Sequence, residues 1–205
     1  MRYPQILLLI VIAGCGSTRE RTAETPRDVA VAPAEDSTTS AEPEAPASLE
    51  GWGSERIALP PAFAPGMPAG DELLLFAPGM FDAEAEDYWS YVFVMRLEQG
   101  DMRSDQLAEV FEQYYDGLIA AVGKERGIEG DPASVMLLKR GDGDYVANVS
   151  LIDAFVTMER IELRAVIRAD SSFSDSTYLE VLVSPQPEGH PVWERLEVAV
   201  GLLEL

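Results

Sequence analysis

Between Ser17 and Glu50 the chain has no aromatic residue, and Val29 and Val31 are its only β-branched apolar side chains. A stretch of Ser, Thr, Ala, Pro, Glu and Asp cannot bury enough apolar surface to offset its ordering entropy. Residues 15–50 are therefore expected to form a disordered linker, and a fold must be built from residue 51 onward. Trp52 opens that region. The 155 residues of 51–205 suffice for one domain that buries about 70% of its unfolded surface. Cys15 is the only cysteine, so the domain contains no thiol. A disulfide framework, a zinc–thiolate cluster and a cysteine nucleophile are all excluded, and the fold must rest on its apolar core.

Ahead of the linker, residues 1–15 combine a basic start (Arg2), an apolar run from Ile6 to Ala13, and small residues leading to Cys15. That is the layout of a secretory signal. The run is far shorter than the roughly 20 apolar residues a spanning helix needs. Ile12-Ala13-Gly14-Cys15 resembles the lipobox of bacterial lipoproteins. The resemblance implies that residues 1–14 are removed, that Cys15 is diacylated, and that the new N-terminus receives a third, palmitate-type chain. Two or more acyl chains hold a protein firmly to a bilayer. Gly16, where enterobacterial lipoproteins retained in the inner membrane carry Asp, implies the outer membrane. A coil as long as the linker spans roughly 30–35 Å, enough to lift a domain clear of the headgroups.

The formal charge of −21 is unevenly spread. Residues 16–50 carry three arginines against eight acids, and residues 51–205 carry −17. Such a surface repels nucleic acid, whose binding needs clustered Lys and Arg. Anionic headgroups are repelled in the same way, so the membrane contact is expected through the N-terminal lipid alone. Charge of this size otherwise speaks to solubility and association rather than to fold.

Periodicity places the elements. Arg56–Leu59 reads as a short extended piece, Glu72–Ala77 as a buried strand, and Asp87–Glu98 as a central strand apolar on both faces. Ser104 begins the clearest helix: Leu107, Val110, Phe111, Tyr114, Leu118, Ile119 and Val122 recur at three- and four-residue steps. Asp105, Glu109, Glu112 and Asp116 face away. Ser104 is the expected N-cap, and Gly123 or Gly127 the expected terminator. Ser134–Lys139 and Tyr145–Ile152 flank the turn-forming Gly141-Asp142-Gly143-Asp144. Arg160–Arg168 alternates cleanly and pairs with Thr177–Val183. Pro191–Leu205 fits helix and strand alike and is assigned as helix, with its charges in the first turns.

The expected fold is α+β, a mostly antiparallel sheet of about six strands packed by one or two helices. The element order loosely resembles the PsbP/Mog1-like fold. A fold of this kind does not by itself fix a function.

Three features are candidate sites. Phe63-Ala64-Pro65-Gly66-Met67 is echoed by Phe76-Ala77-Pro78-Gly79-Met80; both read as Pro-Gly turns of type II, with glycine at positive φ. They could present Met67, Met80 and Phe81 as a soft apolar rim, or bury their methionines in the core. Asp82, Glu84 and Glu86 belong to the densest acid cluster and are weak Ca²⁺ candidates, since the glycine an EF-hand loop needs at its sixth position is Asp87 here. His190 is the only histidine and lies in a Pro-rich loop before the last segment. No Gly-x-Ser-x-Gly elbow or phosphate-cradling glycine loop occurs. No cofactor motif or catalytic constellation emerges. The expectation is a lipid-anchored envelope lipoprotein whose domain binds another envelope protein or a small ligand. A carboxylate-based hydrolase and a Ca²⁺-responsive acidic module are the alternatives.

Overall fold

The computed structural model describes residues 49–128, 132–141, 143–171 and 175–203. Residues 1–48, on which the expected signal segment, the lipidation of Cys15 and most of the expected linker fall, lie outside the described residues, as does Asp142. The chain forms β1 (Gly53–Leu59), β2 (Gly70–Phe76), β3 (Tyr91–Leu97), α1 (Ser104–Gly123), β4 (Ser134–Lys139), β5 (Asp144–Ile152), β6 (Arg160–Asp170), β7 (Thr177–Ser184) and α2 (Val192–Val200). Among the described residues no helix is long and apolar enough to cross a membrane.

The strands make one antiparallel sheet in the order β1-β2-β3-β7-β6-β5-β4. Two meanders, β1–β3 and β4–β7, meet where β3 lies against β7, with Phe93 opposite Val181. α1 carries the chain from the middle of the sheet to the far edge, because β3 is already paired on both sides. Strand side chains alternate between faces, so this arrangement creates two cores. On one face Tyr91, Phe93, Met95, Leu163, Ile167, Leu179 and Val181 are buried with Leu107, Val110, Phe111 and Tyr114 of α1. On the other, Leu73, Leu75, Val92, Val94 and Leu182 pack with Val192, Leu196, Ala199 and Val200 of α2. The apolar pattern on both faces of β3 follows from its place between the two layers.

The α+β class is as expected, and among the described residues the sheet has seven strands rather than about six. The Arg56–Leu59 piece extends back to Gly53 and pairs with β2 along its whole length. Its Ser54, Glu55 and Arg56 hide the strand from an apolar search, because an edge strand with a wet face carries polar residues. β3 is shorter than expected. Trp89 has φ 48, and its N–H donates to the Met80 carbonyl (3.2 Å). The indole is buried by a turn rather than a pleat, which mimics the two-residue period.

α1 begins one residue away from the expected cap. Arg103 is the N-cap, and its N–H donates to Gln106 Oε1 (3.1 Å). α1 runs on into a 3-10 turn, Lys124–Arg126, which Gly127 ends in the left-handed conformation at φ 66, and the Ile128 N–H returns to the Gly123 carbonyl (3.1 Å). Glu112 and Asp116 do not simply face solvent. Asp116 Oδ1 accepts from the Ala133 N–H (2.5 Å) and Glu112 Oε1 from the Val135 N–H (3.3 Å). The helix thereby occupies part of the bonding edge of β4, which has no strand beyond it. The last segment is helical over Val192–Val200, as assigned, and the helix stops short of the expected end at Leu205, which lies outside the described residues.

Candidate functional site

The two echoed segments form the same turn. Met67 N–H donates to Ala64 O (3.2 Å) and Met80 N–H to Ala77 O (3.0 Å). Gly66 and Gly79 are not among the glycines at positive φ, so the type II expectation is corrected; what glycine provides is room. A Cβ on Gly66 would lie 2.9 Å from Gln113 Oε1, and one on Gly79 only 2.0 Å from Asp87 Oδ1 and 2.5 Å from the Ala85 Cβ. Both methionines are buried in the α1-side core, so of the three rim candidates only Phe81 reaches the surface, 49% exposed.

Phe81 stands at one end of the sheet, where the loops β2–β3, β5–β6 and β7–α2 and the end of α1 come together. Its ring lies 6.2 Å from Phe76 and 5.6 Å from Phe155, and Phe155 meets Trp89 edge-on at 5.5 Å. Met158, 42% exposed at φ 60, lies nearby, with the Arg126 guanidinium between it and Phe155: Arg126 Nη1 reaches both the Phe155 carbonyl (2.6 Å) and Met158 Sδ (3.7 Å).

Asp153 holds the end together. Its carboxylate accepts from the Tyr88 hydroxyl, the N–H groups of Phe155 (3.0 Å), Val156 (3.1 Å) and Thr157 (2.6 Å), and the Thr157 hydroxyl (2.8 Å). Burial alone would raise its pKa. The donors, Tyr88 and Thr157 foremost, outweigh burial and hold it below the ordinary aspartate value. Tyr88 is pushed up to about 12 by burial and by that same bond. Side chains placed this way fix the β5–β6 loop against a residue 65 positions earlier.

Asp82, Glu84 and Glu86 follow Phe81 in the same loop and are exposed. Asp82 Oδ1 accepts from the Glu84 N–H (3.1 Å), which spends one candidate ligand on the turn itself. Among the described residues no group of three or more His, Cys, Asp or Glu is placed to hold a metal ion. Asp87 of the same loop pairs with Arg195 (3.4 Å). His190 sits at the entry to α2, where its Nδ1 accepts from the Val192 N–H (3.2 Å).

A second unusual group, which no motif announces, is Glu72. It lies on the α1 side of β2, opposite Ile57 and Met95, and is wholly buried. Neither carboxyl oxygen has a hydrogen-bond partner. Burial pushes its pKa up to about 8, against a weaker opposing pull from the Tyr114 hydroxyl and with help from the charge of Glu55. Glu72 therefore carries a proton at neutral pH. Around it, Tyr91 and Tyr115 share a buried hydroxyl–hydroxyl bond of 2.7 Å, and burial raises the pKa of Tyr91, Tyr114 and Tyr115. Its position at the start of a buried Leu-Leu-Leu-Phe run is the available signal: an acid opening such a strand faces either solvent or a closed layer.

Among the described residues the domain thus exposes Phe81 on a loop cluster locked by side-chain bonds, with further exposed apolar side chains at Met136 and Leu138 of β4 and at Val198 and Leu202 at its C-terminal end, and it buries a cluster of polar side chains around Glu72. No family model, no curated protein and no solved structure matches this chain.

Proposed function

We propose that this chain is a lipid-anchored bacterial envelope lipoprotein whose folded domain binds a partner and performs no chemistry. The anchor reading rests on the lipobox-like Ile12-Ala13-Gly14-Cys15 and the short apolar run before it. The binding reading rests on one observation: Phe81 and Met158 are held at the surface by Phe76, Phe155 and the Asp153 network. An exposed apolar surface on a prearranged loop cluster costs solubility and marks a contact site.

A carboxylate hydrolase is the less favoured reading. Its best acid pair is Glu55 and Glu72, diagonal neighbours on β1 and β2. Acid–base catalysis by two carboxyls needs pKa values pushed apart, whereas burial raises both of these. Glu72 is also out of reach of any substrate while α1 is seated.

Two measurements test the proposal. Cys15→Ala should release the full chain from the membrane fraction with the melting of the folded domain unchanged; retention in that fraction would refute the anchor. Native mass spectrometry of the protein released gently from its envelope should show a reproducible additional mass. A bare monomer, or turnover that collapses on Glu55→Gln, would overturn the binding reading.

A further inference from the structure

We infer that the partner is a cationic amphipathic polypeptide segment, seating an apolar side chain on Phe81, Phe155 and Met158 and its Lys or Arg against Asp82, Glu84 and Glu86. This rests on the binding reading above and names the chemistry of that site.

The apolar half of the surface is built on Phe81 and Phe155, which are in ring contact at 5.6 Å, and Met158 lies on its border beyond the Arg126 guanidinium, which bonds the Phe155 carbonyl and reaches Met158 Sδ. It is also rigid. Beneath the acidic loop, Gly79 leaves no space even for a methyl group against Asp87 and Ala85. Gln186 Nε2 ties the loop to the β7–α2 connection through the Glu86 carbonyl (2.9 Å). A partner that docks here therefore loses little affinity to ordering this side of the interface.

Charge selects the occupant. Asp82, Glu84 and Glu86 follow Phe81 in its loop without an ion pair to any described cation, whereas Asp87 of the same loop has Arg195. Against the single charge of Arg126 on the Phe155 side, three unpaired carboxylates in the loop that carries Phe81 leave this region net negative and favour a partner with positive charge next to an apolar side chain. An anionic lipid surface would meet repulsion here. A second copy would bring its own acids and −17 charge against the first. A basic segment is the occupant for which both halves of the surface are favourable.

The test uses the full-length protein in neutral detergent and a fluorescently labelled Lys/Leu helical peptide, with Glu/Leu and Lys/Ser peptides of equal length as controls. The Lys/Leu peptide should bind, and binding should weaken as salt rises. Phe81→Ala should weaken it about tenfold, and the triple change Asp82→Asn, Glu84→Gln, Glu86→Gln should weaken it and flatten the salt dependence. The triple variant should melt as the parent does, since its altered side chains reach solvent, and Phe81→Ala somewhat below it, since it gives up ring contacts with Phe76 and Phe155, while staying folded at the temperature of the binding assay. Equal binding of the Glu/Leu peptide, indifference to both variants, or capture by anionic vesicles in preference to the peptide would overturn the assignment. An additional native mass that persists in Phe81→Ala and lacks basic residues would sink this inference and leave the binding reading intact. A bare monomer that also ignores the Lys/Leu peptide would remove both.

Discussion

Replacing Glu72 by Met isolates the cost of a buried acid. In the folded state its pKa lies near 8, against an ordinary value of 4.5. Between those two values the folded protein holds a proton that the unfolded chain has released. Stability then falls as pH rises, because the slope follows the difference in protons bound, at about 1.4 kcal/mol per pH unit. The contribution is fully favourable below about pH 4.5 and is lost progressively toward pH 8. Over the interval from pH 5 to pH 8 the loss is on the order of 3–4 kcal/mol, a large part of the roughly 5–15 kcal/mol that stabilises a domain. Met keeps the chain length, approximates the volume and removes the titration. Urea unfolding of wild type and Glu72→Met at pH 5, 6, 7 and 8 should show a gap that widens by about 3–4 kcal/mol in favour of the variant. Carboxylates other than Glu55, whose charge is coupled to Glu72, titrate alike in both proteins and cancel in the difference. Asp153 also leaves this window untouched: its lowered pKa gives stability above its unfolded value that is lost only in stronger acid. If the two stabilities run parallel from pH 5 to pH 8, Glu72 is not a buried protonated acid and the account of the α1 layer is wrong.

Asp153→Ala should cost about 3 kcal/mol or more, since it strands three N–H groups and two hydroxyls at once, and an ultraviolet titration should find Tyr88 returned toward pH 10. An alkaline titration of Tyr88 unchanged from about 12 would show that burial alone sets it. Glu112→Ala combined with Asp116→Ala should leave the Val135 and Ala133 N–H groups unpartnered, costing about 1–3 kcal/mol for each. It should also promote concentration-dependent association through the opened β4 edge, where Met136 and Leu138 are 71% and 62% exposed; sedimentation velocity that stays monomeric at all concentrations would contradict that role.

Elements whose pattern is local can be read directly from the sequence. β5 and β6 alternate because one face belongs to the α1-side core while the other is mostly open, whereas the second half of β7 is buried on both faces where Leu182 meets α2; the α1 stripe is long enough for its period to be unambiguous. β1 is half hidden, since an edge strand needs only one apolar face and this one spends three positions on Ser54, Glu55 and Arg56. Trp89 misleads for the opposite reason: a left-handed turn buries it in step with the pleat. The Pro-Gly echo correctly marks two like turns, but the demand for glycine comes from side chains that crowd those turns, Gln113 on α1 and Asp87 further along the loop.

Of the apolar surface only Phe81 is legible in the sequence, and the reason lies in sequence separation. Phe155 and Met158 belong to the surface because Asp153 receives the Tyr88 hydroxyl across 65 positions, and no periodicity within either loop carries that pairing. Met67 and Met80 have the composition of a binding rim, yet their burial follows from α1 and the sheet closing over the turns. Glu72 is the converse case. Its neighbours Ile57, Met95 and Tyr114 come from three other elements, so its proton is a property of the packed layer and not of the strand that bears it. Residues that make a surface or a pocket through such contacts are invisible to pattern, whereas those that make it through their own loop, as Asp82, Glu84 and Glu86 do, can be found. The exposed surface and its acid border are therefore best tested together: the loop alone supplies the charge, and only the assembled fold supplies the apolar seat beside it.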